Sequence, residues 1–292
     1  MTLLTSMLFV PGGDEGKLAK LDALDAPALI VDLEDAVADS RKAAARGMVA
    51  EAVAASTTAH PLWVRVNTDR PAATVADLTA VVGARLSGVV LPKVESAGDV
   101  ARVDWFLSAL EAERGIPVGS VKVMPTVESV AGLAAVEAIA ASSERIECLI
   151  FGAGDFSLDA GLDWPAEGGV SPLLLHAKER IVLASRLAGI RPPHDGVYPM
   201  FRDHEGLQAE AAQSRALGMF GKHAVHPGQI PVIDAVFTPS AAQIAHAEAV
   251  LAAFDASETQ GVGNIDVGGQ FIDYPVADRA RSLLALAESL RS

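Results

Sequence analysis

The sequence predicts an α/β fold, a (β/α)8 TIM barrel, followed by a C-terminal extension. Three observations support this prediction: eight short apolar runs alternate with eight helix-forming stretches, the connections between them are short, and polar residues collect just after the apolar runs. A doubly wound open sheet is the alternative, but its first strand is usually followed by a glycine-rich fingerprint. Pro11-Gly12-Gly13 is a poor match to such a fingerprint. We therefore expect a single barrel mouth that gathers the polar residues.

Each predicted strand is an apolar-rich run that stops at a polar or turn-forming residue. The strands are predicted at residues 6–10, 28–31, 61–64, 88–91, 122–127, 148–151, 191–197 and 221–225. The helices are predicted at residues 15–24, 40–55 with Ser40 as a cap, 74–82, 97–113, 131–141, 172–188, 203–217 and 239–255. No linker divides this series, so residues 1–256 form the predicted catalytic domain and residues 257–292 the predicted extension.

Composition excludes several classes of protein. Half of the 292 residues are hydrophobic, yet no run reaches the roughly 20 apolar residues of a membrane span, and no secretory leader is visible at the N-terminus. The formal net charge of −14 argues against a nucleic-acid partner. A single cysteine, Cys148, fits a reducing compartment and lies in an apolar strand, where we expect it to be buried filler. We expect a cytoplasmic protein.

Two carboxylates end neighbouring strands in the segment 121–155. Glu128 follows the fifth strand and Asp155 follows the sixth, with glycines beside it, so both leave the same edge of a parallel sheet. Two such carboxylates repel each other unless a cation or a proton lies between them. Hard oxygen ligands without a nearby thiolate favour Mg²⁺. The alternative is that both acids only cap the helices that follow them.

Other polar residues also stand at or just past predicted strand ends. They are Asp32, Glu34, Asp35, Arg65, Asn67, Lys93, Glu95, Asp195 and His226. Arg65 could bind the carboxylate of a 2-oxo acid as a planar donor, and with the metal it would stabilise oxyanion charge in aldol or Claisen chemistry. An ion pair of Arg65 with the acids at residues 32–35 is the alternative. The lysines are individually more typical of solvated surface.

The segment 257–292 begins with several glycines and ends in an amphipathic helix predicted at residues 276–290. It is typical either of a movable lid or arm that reaches a neighbouring subunit, or of a helix that only covers the barrel. His223 and His226 invite a zinc interpretation, but they fall on a strand that runs into a Pro-Gly turn, which disfavours it.

A set of motifs runs through nearly the whole chain. The motifs are Leu8-Phe-Val-Pro-Gly12, Val31-Asp-Leu-Glu-Asp-Ala-Val37, Val64-Arg-Val-Asn67, Leu91-Pro-Lys-Val-Glu95, Val127-Glu-Ser129, Phe151-Gly-Ala-Gly-Asp155, Asp195-Gly-Val-Tyr198, Gly221-Lys222 with Val225-His-Pro227 and Gln229, and Ile272-Asp-Tyr-Pro275. In content and order they resemble the citrate lyase beta-subunit-like branch of the HpcH/HpaI aldolase family.

The resemblance implies a Mg²⁺-dependent (β/α)8 carbon–carbon lyase that works as a homotrimer or hexamer. It implies cleavage, or formation, of a 3-hydroxyacyl-CoA thioester such as malyl-, citramalyl- or citryl-CoA, with acetyl-CoA and a 2-oxo acid as the products. Two alternatives stay open. One is an aldolase acting on free hydroxy-oxo acids, and the other is the beta subunit of a carrier-dependent citrate lyase complex.

The motifs also carry site residues over to this chain. The resemblance implies that Glu128 and Asp155 are the metal ligands and that Glu34 and Asp35 are acids around the waters of the metal. It implies that Arg65 binds the substrate carboxylate, next to the metal-bound oxygens.

Three further positions lie outside the metal-binding motifs. The resemblance implies that Asp273 is an acid that exchanges a proton with the acetyl carbon, and that Lys20 and Lys93 lie near the phosphate-bearing arm of the thioester. Two departures point to an altered substrate: Thr5 stands where many members have Arg, and Gly154 stands where Glu is common.

Overall fold

The computed structural model describes residues 4–164 and 171–290. These residues form two compact units, the first of residues 4–233 and the second of residues 234–290. The sequence also predicts a Gly/Pro-rich loop near residues 164–169, and this loop lies outside the described residues after Trp164.

The first unit is a closed barrel of eight parallel strands in sequence order, which confirms the predicted (β/α)8 fold. The strands are β1 Ser6–Pro11, β2 Leu29–Asp32, β3 Leu62–Arg65, β4 Leu86–Leu91, β5 Lys122–Val127, β6 Ile150–Phe151, β7 His194–Val197 and β8 Lys222–Ala224. The helices are α1 Glu15–Leu18, α2 Lys42–Ala55, α3 Pro71–Val81, α4 Ala97–Glu113, α5 Val130–Ala134, α6 Val136–Ala140, α7 Ala153–Asp159, α8 Pro172–Ala188, α9 His204–Leu217 and α10 Ile230–Phe237, of which the last four residues belong to the second unit.

Several helix boundaries differ from the prediction. The helix expected at residues 15–24 is the single turn α1 followed by a 3₁₀ turn, Leu21–Ala23. Ser40 was expected to cap the second helix, but it lies within a 3₁₀ turn, Asp39–Arg41, so that α2 begins at Lys42 without a side-chain cap. α4 and α8 have the predicted bounds, and each begins after a serine whose hydroxyl accepts a backbone N–H.

Alternate residues of each strand face the barrel interior, where apolar side chains pack in layers. This interior cluster consists of Leu4, Met7, Ala28, Ile30, Trp63, Val90, Met124, Cys148 and Ile150, with Phe9 against it. Gly88 leaves room for the Trp63 indole, since a Cβ at Gly88 would lie 2.3 Å from its Cζ3. Cys148 is buried as predicted, and burial raises the pKa of its thiol.

The same alternation brings charged residues to one end of the barrel. Asp32, Arg65 and Glu128 continue the inward-facing positions of β2, β3 and β5 at the carboxyl ends of these strands. Active sites of TIM barrels are built at this end. The sequence pattern therefore places three charges above an apolar interior.

The second unit contains α11 Ala241–Glu258, the antiparallel hairpin of β9 Ile265–Val267 and β10 Gln270–Ile272, and α12 Tyr274–Ser289. Its apolar core consists of Ala247, Val250, Phe254, Ile272, Ala277 and Ala280. The hairpin turn is Gly268-Gly269, and both residues have the positive φ that such a turn requires. α11 belongs to this unit, although the sequence analysis counted the helix at residues 239–255 as the last helix of the barrel. The domain boundary after residue 256 stays a prediction.

No helix within residues 4–164 and 171–290 combines the length and the apolar character that crossing a membrane requires.

Candidate active site

A cavity of about 750 Å³ lies at the carboxyl ends of the barrel strands. Its wall includes five of the eight residues to which the resemblance assigns a role, Lys20, Asp35, Arg65, Glu128 and Asp155. The structure therefore gathers into one cavity residues that are as far as 135 positions apart in the chain (155 − 20).

Asp32 holds Arg65 at the mouth in a bidentate ion pair. The Nε and one terminal nitrogen of Arg65 each donate to an Asp32 carboxylate oxygen at 2.7 Å. Backbone N–H groups of Glu34 and Ala36 donate to the same carboxylate at 2.9 and 3.0 Å. Bidentate geometry of this kind fixes the plane of the guanidinium. The predicted alternative, an ion pair of Arg65 with neighbouring acids, is therefore present, and Arg65 also lines the cavity.

Glu34 lies between two cations. One of its carboxylate oxygens is 3.0 Å from a terminal nitrogen of Arg65, and the other is 3.1 Å from the Lys93 ammonium. Burial raises the pKa of Glu34, and the charges of Arg65 and Lys93 oppose that shift. Asp35 is exposed and lies 3.9 Å from Arg65. That Glu34 and Asp35 surround the waters of a metal stays a prediction.

Lys93 has a left-handed backbone, with a φ of +53°. A residue with a Cβ pays an energetic cost in this conformation, and such strain concentrates at functional sites. Here the conformation directs the backbone N–H of Lys93 to a Glu128 carboxylate oxygen at 2.6 Å. Because its ammonium contacts Glu34, Lys93 connects two carboxylates of the mouth.

Glu128 is a buried carboxylate without a cationic partner. It is 5% exposed, and it makes no ion pair with any residue in the described part of the chain. Burial raises its pKa to about 8, and the negative charges of Asp155 and Glu34 add to the shift. A carboxylate in this position needs a proton or a cation.

Asp155 reaches the same place from the first turn of α7. Gly152 precedes this helix, and a Cβ there would lie 2.4 Å from a Glu128 carboxylate oxygen, so that the glycine makes room for Glu128. A Cβ at Gly154 would lie 3.1 Å from Cζ3 of Trp164. The Trp164 ring thus stands beside the position where the resemblance leads one to expect a Glu side chain.

The paired carboxylates fit a hard divalent cation. Glu128 and Asp155 supply oxygen ligands, and the first of them is buried and makes no ion pair within the described residues. Within the described residues, no group of three His, Cys, Asp or Glu side chains forms a more complete metal site. Mg²⁺ is often held by one or two carboxylates, with water and substrate supplying its other ligands. Glu128 and Asp155 could therefore hold Mg²⁺.

Two residues expected at the mouth have structural roles instead. The expectation for Asp195 is wrong because this residue is next to the inward position of β7: its carboxylate is buried against Lys178 and Lys222 and does not line the cavity. Asn67 is buried and donates to Asp77 at 2.7 Å and to the carbonyl of Leu33 at 3.0 Å.

The two predicted lysines differ in their surroundings. Lys20 lines the cavity near the end of α1, and it is exposed to solvent. The ammonium of Lys93 is engaged with Glu34. Contact of either lysine with a phosphate-bearing arm stays a prediction.

Asp273 caps α12 in the second unit. Its carboxylate accepts the backbone N–H of Val276 at 3.2 Å. This interaction explains why the helix begins two residues earlier than predicted, at Tyr274. The proton-transfer role of Asp273 stays a prediction.

The cavity residues that the sequence did not assign to the site include His223 and Trp164. His223 was considered only as a zinc ligand together with His226. The two-residue alternation along β8 could have placed its side chain inside the barrel, because the strand was predicted correctly. Trp164 had no signal of its own.

Comparisons with known proteins agree with this geometry. The profile of the family described as HpcH/HpaI aldolase/citrate lyase matches residues 5–227. The chain belongs to this family. It is 36% identical to the L-malyl-CoA/beta-methylmalyl-CoA lyase of Cereibacter sphaeroides, over 97% of this chain and 94% of that protein. It is 35% identical to the citrate lyase subunit beta of Haemophilus influenzae, over 99% and 98% of the two chains.

A solved structure is similar over the same length. Protein CitE from Mycobacterium tuberculosis, in complex with magnesium, acetoacetate and coenzyme A, has a TM-score of 0.79 and 31% sequence identity, and the similarity covers 98% of both chains. Membership of the family confirms the resemblance drawn from the motifs and the assignment of the chain to the carbon–carbon lyases.

Proposed function

We propose that this protein is a Mg²⁺-dependent lyase that cleaves, or forms, a 3-hydroxyacyl-CoA thioester such as malyl-, citramalyl- or citryl-CoA, with acetyl-CoA and a 2-oxo acid as the products. The observation that carries the proposal is the buried Glu128 carboxylate, which faces the cavity beside Asp155 without a cation of its own. The malyl-CoA lyase relative and the CitE complex with magnesium and coenzyme A support the substrate class and the metal.

Glu128 and Asp155 would hold the metal. When bound there, Mg²⁺ supplies Lewis-acid stabilisation of the negative charge that develops on the oxygens of the 2-oxo acid. The buried position of Glu128 excludes water from one side of this site, which strengthens electrostatic interactions with the bound group.

Arg65 would bind the carboxylate of the 2-oxo acid. A guanidinium has five N–H donors. Each of the three nitrogens of Arg65 makes one contact with a carboxylate oxygen of Asp32 or Glu34, so N–H groups of its terminal nitrogens remain for a ligand in the cavity. Asp32 keeps the plane of the Arg65 guanidinium fixed while the substrate is converted to products. Arg65 thus orients the carboxylate, and Asp32 positions Arg65.

Cleavage requires two proton movements. The 3-hydroxyl loses its proton, the bond between C2 and C3 breaks, and the acetyl carbon takes up a proton as acetyl-CoA forms. We assign the second transfer to Asp273, on the strength of the motif that contains it.

Asp273→Asn tests this assignment. Asparagine caps helices as well as aspartate does, so α12 should stay intact and the Tm should change little. We expect thioester cleavage to fall about 100-fold or more, because an amide cannot supply the proton. Asp278→Asn, a change at an exposed aspartate on the same helix, serves as the control. Near-normal cleavage by Asp273→Asn would exclude the proton-transfer role.

The experiment that tests the whole proposal is product analysis. The purified protein is incubated with malyl-, citramalyl- and citryl-CoA, each with Mg²⁺ and with EDTA. Metal-dependent release of acetyl-CoA would establish the lyase, and the accompanying 2-oxo acid would identify the acyl group. No release from any of the three thioesters, by protein that has its folded circular dichroism spectrum, would contradict the proposal.

A second candidate function is favoured by one comparison. The 35% identity with a citrate lyase subunit beta, over nearly the full length of both chains, supports a subunit that acts on a carrier-bound thioester. Activity on a carrier-bound but not a CoA-bound substrate would favour this candidate. Cleavage of free hydroxy-oxo acids would instead favour the aldolase alternative.

We also propose that the protein is a cytoplasmic homotrimer or hexamer. The family resemblance supports the assembly, and the reduced, buried Cys148 fits a reducing compartment. Light scattering coupled to size-exclusion chromatography would measure the mass of the assembly.

A further inference from the structure

Two side chains that do not line the cavity hold the turn that carries Glu34. The ammonium of Lys42, the first residue of α2, donates to the Glu34 carbonyl at 3.3 Å. The Asn67 amide donates to the carbonyl of Leu33 at 3.0 Å. The backbone N–H of Glu34 in turn donates to Asp32 at 2.9 Å. Hydrogen bonds therefore engage the peptide groups on both sides of Glu34.

Asn67 connects this turn to the helices behind it. Its amide oxygen accepts from the Lys42 ammonium. Its backbone and side-chain N–H groups both donate to the Asp77 carboxylate of α3, at 2.9 and 2.7 Å. The other oxygen of Asp77 accepts from Arg46 of α2 at 2.7 Å. Asn67 and Asp77 are almost completely buried, and a buried polar network whose groups are paired makes its surroundings rigid.

Lys42 differs from the other charged members of this network because its ammonium donates to neutral oxygens. These are the Glu34 carbonyl and the Asn67 amide oxygen. Among the described residues, the one carboxylate within ion-pair distance of Lys42 belongs to the exposed Asp39, at 3.8 Å. The Lys42 side chain is only 15% exposed. Burial of an ammonium costs free energy unless it is well paired, so the position of this charge requires an explanation.

The turn that Lys42 holds determines where the Glu34 carboxylate lies. This carboxylate is buried between Arg65 and Lys93, at 3.0 and 3.1 Å. It is also close enough to Glu128 for its negative charge to raise the pKa of that residue. Negative charge beside metal ligands favours binding of a cation. Residues that support metal ligands from behind commonly change metal affinity about 10–100-fold.

We propose that Lys42 is a positioning residue that acts through the backbone of Glu34. By fixing the turn, it keeps the Glu34 carboxylate beside Glu128 and so raises the Mg²⁺ affinity of the site that Glu128 and Asp155 form. This inference rests on the proposed function, in which those two carboxylates bind Mg²⁺. The direction of the effect is diagnostic. Loss of a nearby positive charge would by itself tighten Mg²⁺ binding, whereas loss of the hydrogen bonds to the turn weakens it.

The test is isothermal titration calorimetry of the metal-free protein with MgCl₂. Methionine at position 42 keeps a flexible, unbranched side chain on α2 but cannot donate to either oxygen. We expect Lys42→Met to weaken Mg²⁺ binding about tenfold. Lys122→Met is the matched control, because Lys122 begins β5 at the opposite end of the barrel from Glu128. The control removes the same charge and should leave the Kd unchanged.

A double-mutant cycle separates an action through Glu34 from a general loss of structure. Glu34→Gln should itself weaken Mg²⁺ binding, because it removes a negative charge beside the ligands. In that background Lys42→Met should change the Kd by about twofold or less, because the carboxylate that Lys42 positions is already absent. A merely structural role would weaken binding by the same factor in both backgrounds. Lys42→Arg keeps the charge and the donors, and it should retain most of the wild-type affinity.

The outcomes are distinct. Unchanged or tighter Mg²⁺ binding by Lys42→Met, or an equal loss in both backgrounds, would overturn the role of Lys42 and leave the lyase proposal standing. Absence of Mg²⁺ binding by the folded wild-type protein would instead contradict the metal site, and with it both proposals. If Lys42→Met does not fold, Lys42→Gln takes its place in the same cycle. Failure of that variant to fold as well would assign Lys42 to the fold alone and overturn the inference.

Discussion

Two buried carboxylates of the barrel, Asp195 and Glu128, have opposite surroundings. Asp195 is 1% exposed and accepts hydrogen bonds from Lys178 at 3.1 Å, Lys222 at 2.7 Å and Ser214 at 2.9 Å. Burial acts to raise its pKa, but the two ammonium groups outweigh burial and lower it. Glu128 has one backbone N–H as its partner, and its pKa rises to about 8.

This difference separates a group that serves the fold from one that serves a ligand. The carboxylate of Asp195 is neutralised by lysine side chains of α8 and β8, so it requires no cation from solution. Glu128 faces the cavity and requires either a proton or a cation, because none of the described side chains makes an ion pair with it. Removing either charge should therefore affect different properties of the protein.

The largest expected effect is that of Glu128→Gln on activity. Glutamine keeps the oxygen that accepts from Lys93 but loses the charge that would bind Mg²⁺. We expect turnover to fall at least about a thousandfold, which corresponds to roughly 4 kcal/mol of transition-state stabilisation. The Tm without metal should be equal to or above that of the wild type, and Mg²⁺ should raise only the wild-type Tm.

Glu95→Gln is the matched control, since Glu95 is an exposed glutamate that follows β4, as Glu128 follows β5, but does not line the cavity. Retention of Mg²⁺-dependent activity by Glu128→Gln within tenfold of the wild type would contradict the metal site.

Asp195→Asn should have the opposite result. The change leaves the buried ammonium groups of Lys178 and Lys222 close together without their shared carboxylate, although Glu210 still contacts Lys222 at 2.5 Å. Breaking a buried charge network in this way costs several kcal/mol, and we expect the free energy of unfolding to fall by about 3 kcal/mol. Urea denaturation measures this change, with Glu128→Gln as the comparison. A loss below about 0.5 kcal/mol would show that the network does not stabilise the fold.

The contrast also shows how far the sequence predicts the site. The rule that polar residues at strand ends share the barrel mouth correctly predicted that Arg65, Glu128 and Asp155 lie in one cavity. The rule works because the βα alternation places the carboxyl ends of all the strands on the same side of the barrel. The same rule failed for Asp195, since position along a strand does not specify which face a side chain occupies unless the exact register is known.

Two other features depended on tertiary context. α7 was not predicted because its start, Gly152-Ala153-Gly154, contains residues that disfavour helices in isolation. The sequence did not determine which acid pairs with Arg65, because acids stand at residues 32, 34 and 35. The fold shows that Asp32 makes the bidentate pair.

His194 extends the comparison to a buried base. It is 4% exposed, has no ion pair in the described part of the chain, and does not line the cavity. Burial is the largest cause that lowers its pKa to about 4, from an ordinary value of 6.5. The unfolded chain therefore binds a proton at a higher pH than the folded protein does. The contribution of neutral His194 to the stability of the folded protein is complete above about pH 6.5 and is lost as the pH falls toward 4.

His194→Gln tests this pH dependence. Glutamine does not titrate, so the decline in the free energy of unfolding between pH 6.5 and pH 4.5 should be smaller in the variant by about 2 kcal/mol. Urea denaturation at several pH values measures the slope. His223, whose pKa is also lowered by burial, should account for part of the decline that remains. Identical slopes for the two proteins would show that His194 does not remain neutral when folded.

The smallest effect concerns the backbone that connects the acids of the mouth. Lys93→Gly and Lys93→Ala both remove the ammonium that contacts Glu34, but only glycine adopts a φ of +53° without strain. The alanine variant should be less stable than the glycine variant by about 1 kcal/mol in urea denaturation. Because both keep the N–H that donates to Glu128, their Mg²⁺ affinities should be similar. A glycine variant that is less stable than the alanine variant would show that Lys93 keeps this conformation without strain, and that the contact with Glu128 costs the backbone nothing.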